Sequence, residues 1–268
     1  MKNIVRVLFA LLLLNSALSG CSVKEDRDDC PCRLVLDLSD IKSGLPEEVF
    51  LSLCSDFGYI YSRLFPQDNI PDTCVINVPK GEVFIGCFSP ASSISDRVRK
   101  NGCTSEIVAI EKGGECPEIL MYCTSLKAAG ESEHHKVELH KNYCRLNIEM
   151  KIQGEEYPFL LRIDGNISGY GALGKPVPGD FSVRKRAAAD GRFSICVPRQ
   201  TDGSLCLSIL EGDDMLRKFA LGEYIIESGY DWNSPDLKDI DMELDFSKTD
   251  LHIKIDLWTT TVPLNILI

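Results

Sequence analysis

Arg145-Leu146-Asn147-Ile148-Glu149-Met150-Lys151-Ile152 alternates polar and apolar residues without a break. A chain that returns successive side chains to opposite sides is a strand, so this stretch reads as β-structure with one buried face and one wet face. The same pattern recurs in Asp241-Met242-Glu243-Leu244-Asp245-Phe246 and in Leu251-His252-Ile253-Lys254-Ile255-Asp256-Leu257. Shorter runs carry it at Leu34/Leu36/Leu38, Phe193/Ile195/Val197 and Leu205/Leu207/Ile209. Turn residues separate the runs at Pro79-Lys80-Gly81, Lys112-Gly113-Gly114, Gly174 to Gly179 and Thr201-Asp202-Gly203. Many short amphipathic strands between regular turns predict an all-β sandwich architecture. One helix is predicted near Leu221 to Ser228, where Leu221, Tyr224 and Ile225 share a face and Gly229 supplies the C-cap. A second short helix is predicted near Ser95 to Lys100. Lys141-Asn142 is the best boundary, because the long alternating strand opens afresh after it. The expected organisation is therefore two tandem β-sandwiches, 30–142 and 143–268.

The N-terminus has a different character. Lys2 and Arg6 precede the apolar run Val7 to Leu14, and Leu18-Ser19-Gly20-Cys21 follows. A basic start, a short apolar run and small residues make a removable export signal over residues 1–20. The run is too short to span ~30 Å of hydrocarbon as a permanent helix. Leu-Ser-Gly-Cys matches a bacterial lipobox, which makes Cys21 the expected lipid attachment point; ordinary cleavage beside a chance cysteine is the competing reading. Each buried acyl methylene contributes ~0.8 kcal/mol, so several chains on Cys21 would hold the protein in a membrane. Residues 21–29, with four acids and two bases after Cys21, read as a solvated tether.

Residues 1–20 hold Lys2 and Arg6 and no acid, so 27 basic and 40 acidic residues remain, a net charge of −13. That balance argues against nucleic acid and anionic headgroups as partners. Of twelve cysteines, lipid on Cys21 leaves eleven, an odd number, in a chain expected to reach an oxidising compartment. A two-residue hairpin turn at Lys80-Gly81 would set Cys74 opposite Cys87. A hairpin centred on Thr201 would set Cys196 opposite Cys206. Opposed cysteines are close enough to bridge, and equally they are small side chains that pack side by side.

Little in the sequence assembles chemistry. No Cys-x-x-Cys occurs, and Cys30-Pro31-Cys32 is too tight for the usual zinc knuckle. Gly165-Asn166-Ile167-Ser168-Gly169 is one residue out of register for Gly-x-Ser-x-Gly and reads as a strand running into a glycine-rich loop. His135 and His140 differ by an odd number and point to opposite faces of a strand. Asp239, Asp241, Glu243 and Asp245 share a face, but calcium sites gather oxygens from a turning loop. No nucleophile, base and orienting group come together, so the chain is expected to be no enzyme, with no cofactor and no metal.

Several segments nevertheless resemble, in order, the FimB/Mfa-type family of fimbrial anchor lipoproteins from Bacteroides-type bacteria. These are Cys30 to Ser39, Val78 to Glu82, Val137 to Leu146 and Asp164 to Gly171, then Leu221 to Ile225, Gly229 to Trp232, Leu237 to Phe246 and Ile253 to Trp258. The acidic tether also resembles signals that send such lipoproteins to the outer face of the outer membrane. The resemblance implies transthyretin-like sandwiches, an outer-membrane lipoprotein and a place in adhesive fimbriae assembled by β-strand exchange. Fimbrial subunits would then be the partners, with the outer membrane engaged through acyl chains on Cys21. Val262, Leu264, Ile266 and Ile268 alternate at the C-terminus and form a candidate strand-exchange segment, which either donates to another subunit or closes its own sheet. The competing expectation is a surface lipoprotein that binds carbohydrate or peptide. Such a module needs exposed aromatics, for which the sequence offers Trp232, Trp258 and the pair Tyr59 and Tyr61 on one face.

Overall fold

A computed structural model describes residues 30–42, 48–56, 58–94, 106–151, 159–245, 250–255 and 258–263. Pro31 opens the compact unit in which all the described strands lie. The described chain is all-β with one α-helix.

The first strand, β1 (Cys32–Asp37), lies between β4 (Thr73–Val78), antiparallel, and β8 (Ser132–Lys136), parallel. Facing this three-stranded sheet is a five-stranded one. It is ordered β3 (Gly58–Phe65), β2 (Val49–Ser55), β5 (Gly81–Ser89), β7 (Leu120–Ala128), β9 (His140–Lys141). Alternation decides which residues meet between the sheets. Leu34 and Leu36 from β1, Leu51 and Leu53 from β2 and Val83 and Ile85 from β5 are buried in one cluster.

The chain changes sheet across Asn142. β10 (Tyr143–Lys151) pairs with β13 (Arg192–Pro198) antiparallel and with β16 (Ile240–Asp245) parallel. β17 (Asp250–Ile255) and β18 (Trp258–Pro263) extend that sheet as a hairpin, giving the order β13-β10-β16-β17-β18. The alternation of residues 145–151 works as expected: Leu146, Ile148 and Met150 are buried in the core, while Arg145, Asn147 and Glu149 turn outward. Ile152 lies outside the described residues.

The facing sheet is built on β11 (Phe159–Gly171), a 13-residue strand. β12 (Pro176–Arg186) runs along one of its edges. On its other edge β14 (Cys206–Glu211) pairs with the first half, and β6 (Glu106–Ala109) pairs with the last residues. β15 (Asp214–Phe219) completes the sheet beside β14. A strand from before Asn142 thus enters a sheet otherwise made after it. A cluster with Phe50, Phe88, Val108, Ile119, Met121 and Tyr170 fills the space around that entry.

The glycine-rich run 165–169 is therefore strand, not loop. Its glycines serve a close approach: a Cβ on Gly169 would sit 2.1 Å from the Val108 carbonyl oxygen. Helix α1 (Leu221–Glu227) stands where the sequence places it, buries Leu221, Tyr224 and Ile225, and ends at Ser228 before Gly229 with φ +83°. The helix predicted at Ser95 to Lys100 lies outside the described residues. No described helix is long and apolar enough to cross a membrane.

Both cysteine pairings need correction. β4 and β5 belong to different sheets, so the turn at Lys80-Gly81 carries the chain from one layer to the other. Cys74 lies opposite Leu36, and Cys87 lies between Leu51 and Tyr122. Likewise β13 and β14 belong to different sheets, so Cys196 lies opposite Arg145 and Cys206 opposite Asp164. All four are free thiols. A turn that crosses between layers has the same composition as a hairpin turn, which is why the local pattern misleads. Cys54, by contrast, is disulfide-bonded.

Candidate functional site

A sandwich presents outer faces, clefts and sheet edges to a partner, and an unpaired edge is a template for another strand. The edges of the first sandwich differ sharply. β8, with the sequence Ser132-Glu133-His134-His135-Lys136, is a polar edge of the kind that discourages pairing. Lys136 forms ion pairs with Asp40 (2.6 Å) and Glu138 (2.7 Å). The opposite edge strand, β4, leaves Val75 48% exposed, and its neighbour across the sandwich, β3, leaves Tyr59 54% and Leu64 42% exposed. Between these two edges the Tyr61 hydroxyl lies 3.9 Å from Cys74 Sγ. The three-stranded sheet is too narrow to cover its five-stranded partner. Tyr61, Leu120, Tyr122 and Leu126 therefore pack against the core only partly buried.

The second sandwich ends in β18, whose pairing to β17 sets Val262 opposite Leu251 and Pro263 opposite Asp250. Val262 thus belongs to its own chain's sheet, at the outer edge of five strands. Leu264, Ile266 and Ile268 lie outside the described residues, as does Cys21.

The metal-like constellations are already satisfied by other partners. His135 Nε2 meets the Tyr122 hydroxyl at 2.6 Å, whereas His140 Nδ1 meets Asp236 at 3.2 Å. Asp239 accepts from Lys141 Nζ (2.5 Å) and from the Arg145 amide (2.9 Å). Asp241 accepts from Asn147 (2.9 Å), and Glu243 pairs with Lys151 (2.7 Å). Among the described residues no three potential ligands converge. Two of the thiols are equally quiet: burial pushes Cys144 and Cys123 up to about 12, far from the thiolate form that reacts.

The platform expected of Tyr59 and Tyr61 does not form. A bulge after Leu53 sets Tyr59 opposite Cys54 and Tyr61 opposite Leu53, so one tyrosine turns outward and the other inward. Trp232 is buried in the second core. A groove of about 870 Å³ does exist on the outer face of β10, β13 and β16, where Asn147, Glu149, Arg192, Ser194, Asp241 and Glu243 rise around it.

Sequence reading missed the polar knot at the passage between sandwiches. The Arg199 guanidinium donates to the carbonyls of Trp232, Ser234 (2.8 Å) and Pro235 (3.1 Å), and to Asn142 Oδ1 (3.0 Å). The Tyr170 hydroxyl accepts from the Arg199 amide (2.8 Å) and donates to the Asn142 carbonyl. Burial lowers the Arg199 pKa and raises that of Tyr170. An isolated Arg in a Pro-Arg-Gln turn carries no local signal of such a role.

The described chain is thus a pair of all-β sandwiches with open sheet edges. Three solved structures share this fold. A candidate adhesin from Bacteroides ovatus gives a TM-score of 0.63 at 10% identity, over 87% of this chain and 96% of that one. The fimbrial anchor protein Mfa2 from Porphyromonas gingivalis gives 0.61 at 10% identity, over 86% of this chain and 99% of that one. A candidate polysaccharide-binding protein from Bacteroides thetaiotaomicron gives 0.60 at 11% identity, over 86% and 98%. These neighbours match the type of protein that the sequence motifs resemble, and at such identities the likeness is one of fold. No protein-family model and no curated protein matches the chain.

Proposed function

We propose that this chain is a non-enzymatic lipoprotein subunit of adhesive fimbriae. In this reading it is held at the outer membrane by acyl groups on Cys21 and exposed at the cell surface. As an anchor or accessory subunit it joins other fimbrial subunits by β-strand exchange. The carrying observation is the fold shared with a fimbrial anchor over 99% of that protein's length. The uneven edges of the first sandwich support it. Among the described residues, an incoming strand finds sheet-end strands with exposed apolar side chains on the β3/β4 side and a charged barrier at β8.

Deleting the gene, or replacing Cys21→Ala, is expected to release fimbriae from cells into the medium, measured by immunogold counting and by fimbrial subunit in culture supernatants. Fimbriae that stay attached in normal number in both strains would defeat the anchor reading. A second reading, carbohydrate binding, draws on the groove over β10, β13 and β16 and on the candidate polysaccharide-binding neighbour. Glycan-array binding that is lost on Asn147→Ala would favour it.

A further inference from the structure

After β6 the chain does not return directly to the first sandwich. Residues 110–119 run along the second one and are stitched to it. Gly113 forms a parallel bridge with Val183 of β12. The Glu115 carboxylate accepts from Lys185 Nζ (2.5 Å) and from the backbone amide of Cys196 (3.0 Å). The Cys116 amide donates to the Cys196 carbonyl at 3.0 Å. Two cysteines 80 positions apart in sequence are therefore hydrogen-bonded backbone neighbours.

Backbones that meet at this spacing have Cα atoms roughly 4.5–5.5 Å apart, inside the ~4.4–6.8 Å range of bridged cysteines. Direction matters as much as distance. Cys116 and Cys196 are 2% and 6% exposed, and both face one apolar cluster with Ile119 and Tyr170. Cys144 is set aside by the pleat: it stands opposite Val197, not Cys196, and faces the other core. Cys206 lies in the other sheet. Burial is the larger cause that raises both thiols, and for Cys116 the adjacent Cys196 is the next. Two thiols that close resist ionisation together, which is relieved when they are joined.

We propose that Cys116 and Cys196 form a disulfide when the chain folds in the presence of a disulfide oxidant. One thiolate attacks the oxidant's sulfur–sulfur bond and expels the first thiol, leaving a mixed disulfide. The second thiolate then attacks that mixed disulfide and expels the other thiol. Two electrons pass to the oxidant, and the two cysteine protons end on the expelled thiols. The Cys116 proton now directed at the Pro117 carbonyl (3.5 Å) is lost, and Arg145 exchanges its Cys196 contact for sole use by Glu118. Because burial leaves little access, bond formation accompanies folding rather than following it. The link closes a loop that contains the passage at Asn142, so it ties the first half of the chain covalently to the second sandwich. A pull that parts the halves would then load a covalent bond.

The test is the full chain, unfolded and reduced, then refolded in glutathione redox buffer, alkylated and digested without reductant. The expected result, beside the linked peptide of Cys54, is a peptide pair joining Cys116 to Cys196, two hydrogen atoms lighter than the separate peptides and split by reductant. The oxidised protein should also unfold at a higher temperature than the same protein after reduction, with that difference smaller in Cys196→Ser, which keeps the Cys54 bond. Alkylated Cys116 and Cys196 in the refolded protein, or either one linked to Cys144 or Cys206, would overturn the proposal. The peptide map needs no variant, so it decides the matter even where a Cys196→Ser chain fails to fold.

Discussion

The two sandwiches of this protein are made of similar strands and finished differently. In the second, four strands abreast face five, and α1 with Tyr230 and Trp232 closes the core. In the first, three strands face five, and the inner sides of β3 and β7 remain half-covered. Apolar side chains at a half-covered face keep part of their transfer free energy unrealised, about 25 cal/mol for each Å² still wet. A strand from another subunit that covers them gains what the native fold leaves available. Completeness of burial therefore separates the sandwich that holds the molecule together from the one that receives a partner strand in the proposed reading.

The same substitution placed in each sandwich should expose this difference. Leu146→Ala removes a side chain with no solvent exposure from the centre of the second core, and a loss of about 2–5 kcal/mol is expected in urea unfolding. Leu126→Ala on the inner face of β7 removes a half-covered side chain, and about 1 kcal/mol is expected. Equal losses would erase the contrast. The seam between the sandwiches comes next in size. Gly169→Ala drives a methyl group against the Val108 carbonyl, so β6 must move outward, at a cost of about 1–3 kcal/mol. Amide exchange at Ile110, whose N–H now donates to the Ser168 carbonyl at 2.8 Å, should accelerate more than exchange within β10.

Much of the fold is legible locally. Period-two alternation marks β1, β10, β13, β14 and β16 because each has one face in a core, and the helix at Leu221 follows from spacing and a C-terminal glycine. What fails is pairing. Whether Pro79-Lys80-Gly81 reverses the chain within a sheet or hands it to the facing sheet depends on where β1 and β2 wait for it, and those contacts are long-range. Cys74 and Cys87 are assigned to one hairpin for that reason, as are Cys196 and Cys206. The bulge at Ile60, which separates Tyr59 from Tyr61, is one inserted residue with no signature of its own. Arg199 and Gly169 matter through partners more than 25 residues away, Asn142 and Val108. Propensity and periodicity do not see such distances.

The smallest expected effect concerns the chain between β13 and β14, the crossing that a hairpin reading mistakes. Asp202 sits in it with its carboxylate accepting the Ser204 amide (2.9 Å) and the Asn166 side chain (2.8 Å). The Ser204 hydrogen bonds, and then the one from Asn166, hold its pKa below the ordinary carboxylate value. A carboxyl whose folded pKa is depressed adds stability at pH values above its unfolded pKa, near 3.9, and loses it as pH falls through the folded value. Asp202→Asn keeps the side-chain oxygen and removes the charge. Its stability relative to the parent should be lower at neutral pH and should converge on the parent's as the medium is acidified below about pH 4. Because Asp202 is almost fully solvated, the gap should be a small fraction of the Leu146→Ala loss. A gap that widens toward acid would show that this crossing is held by something other than the Asp202 carboxylate.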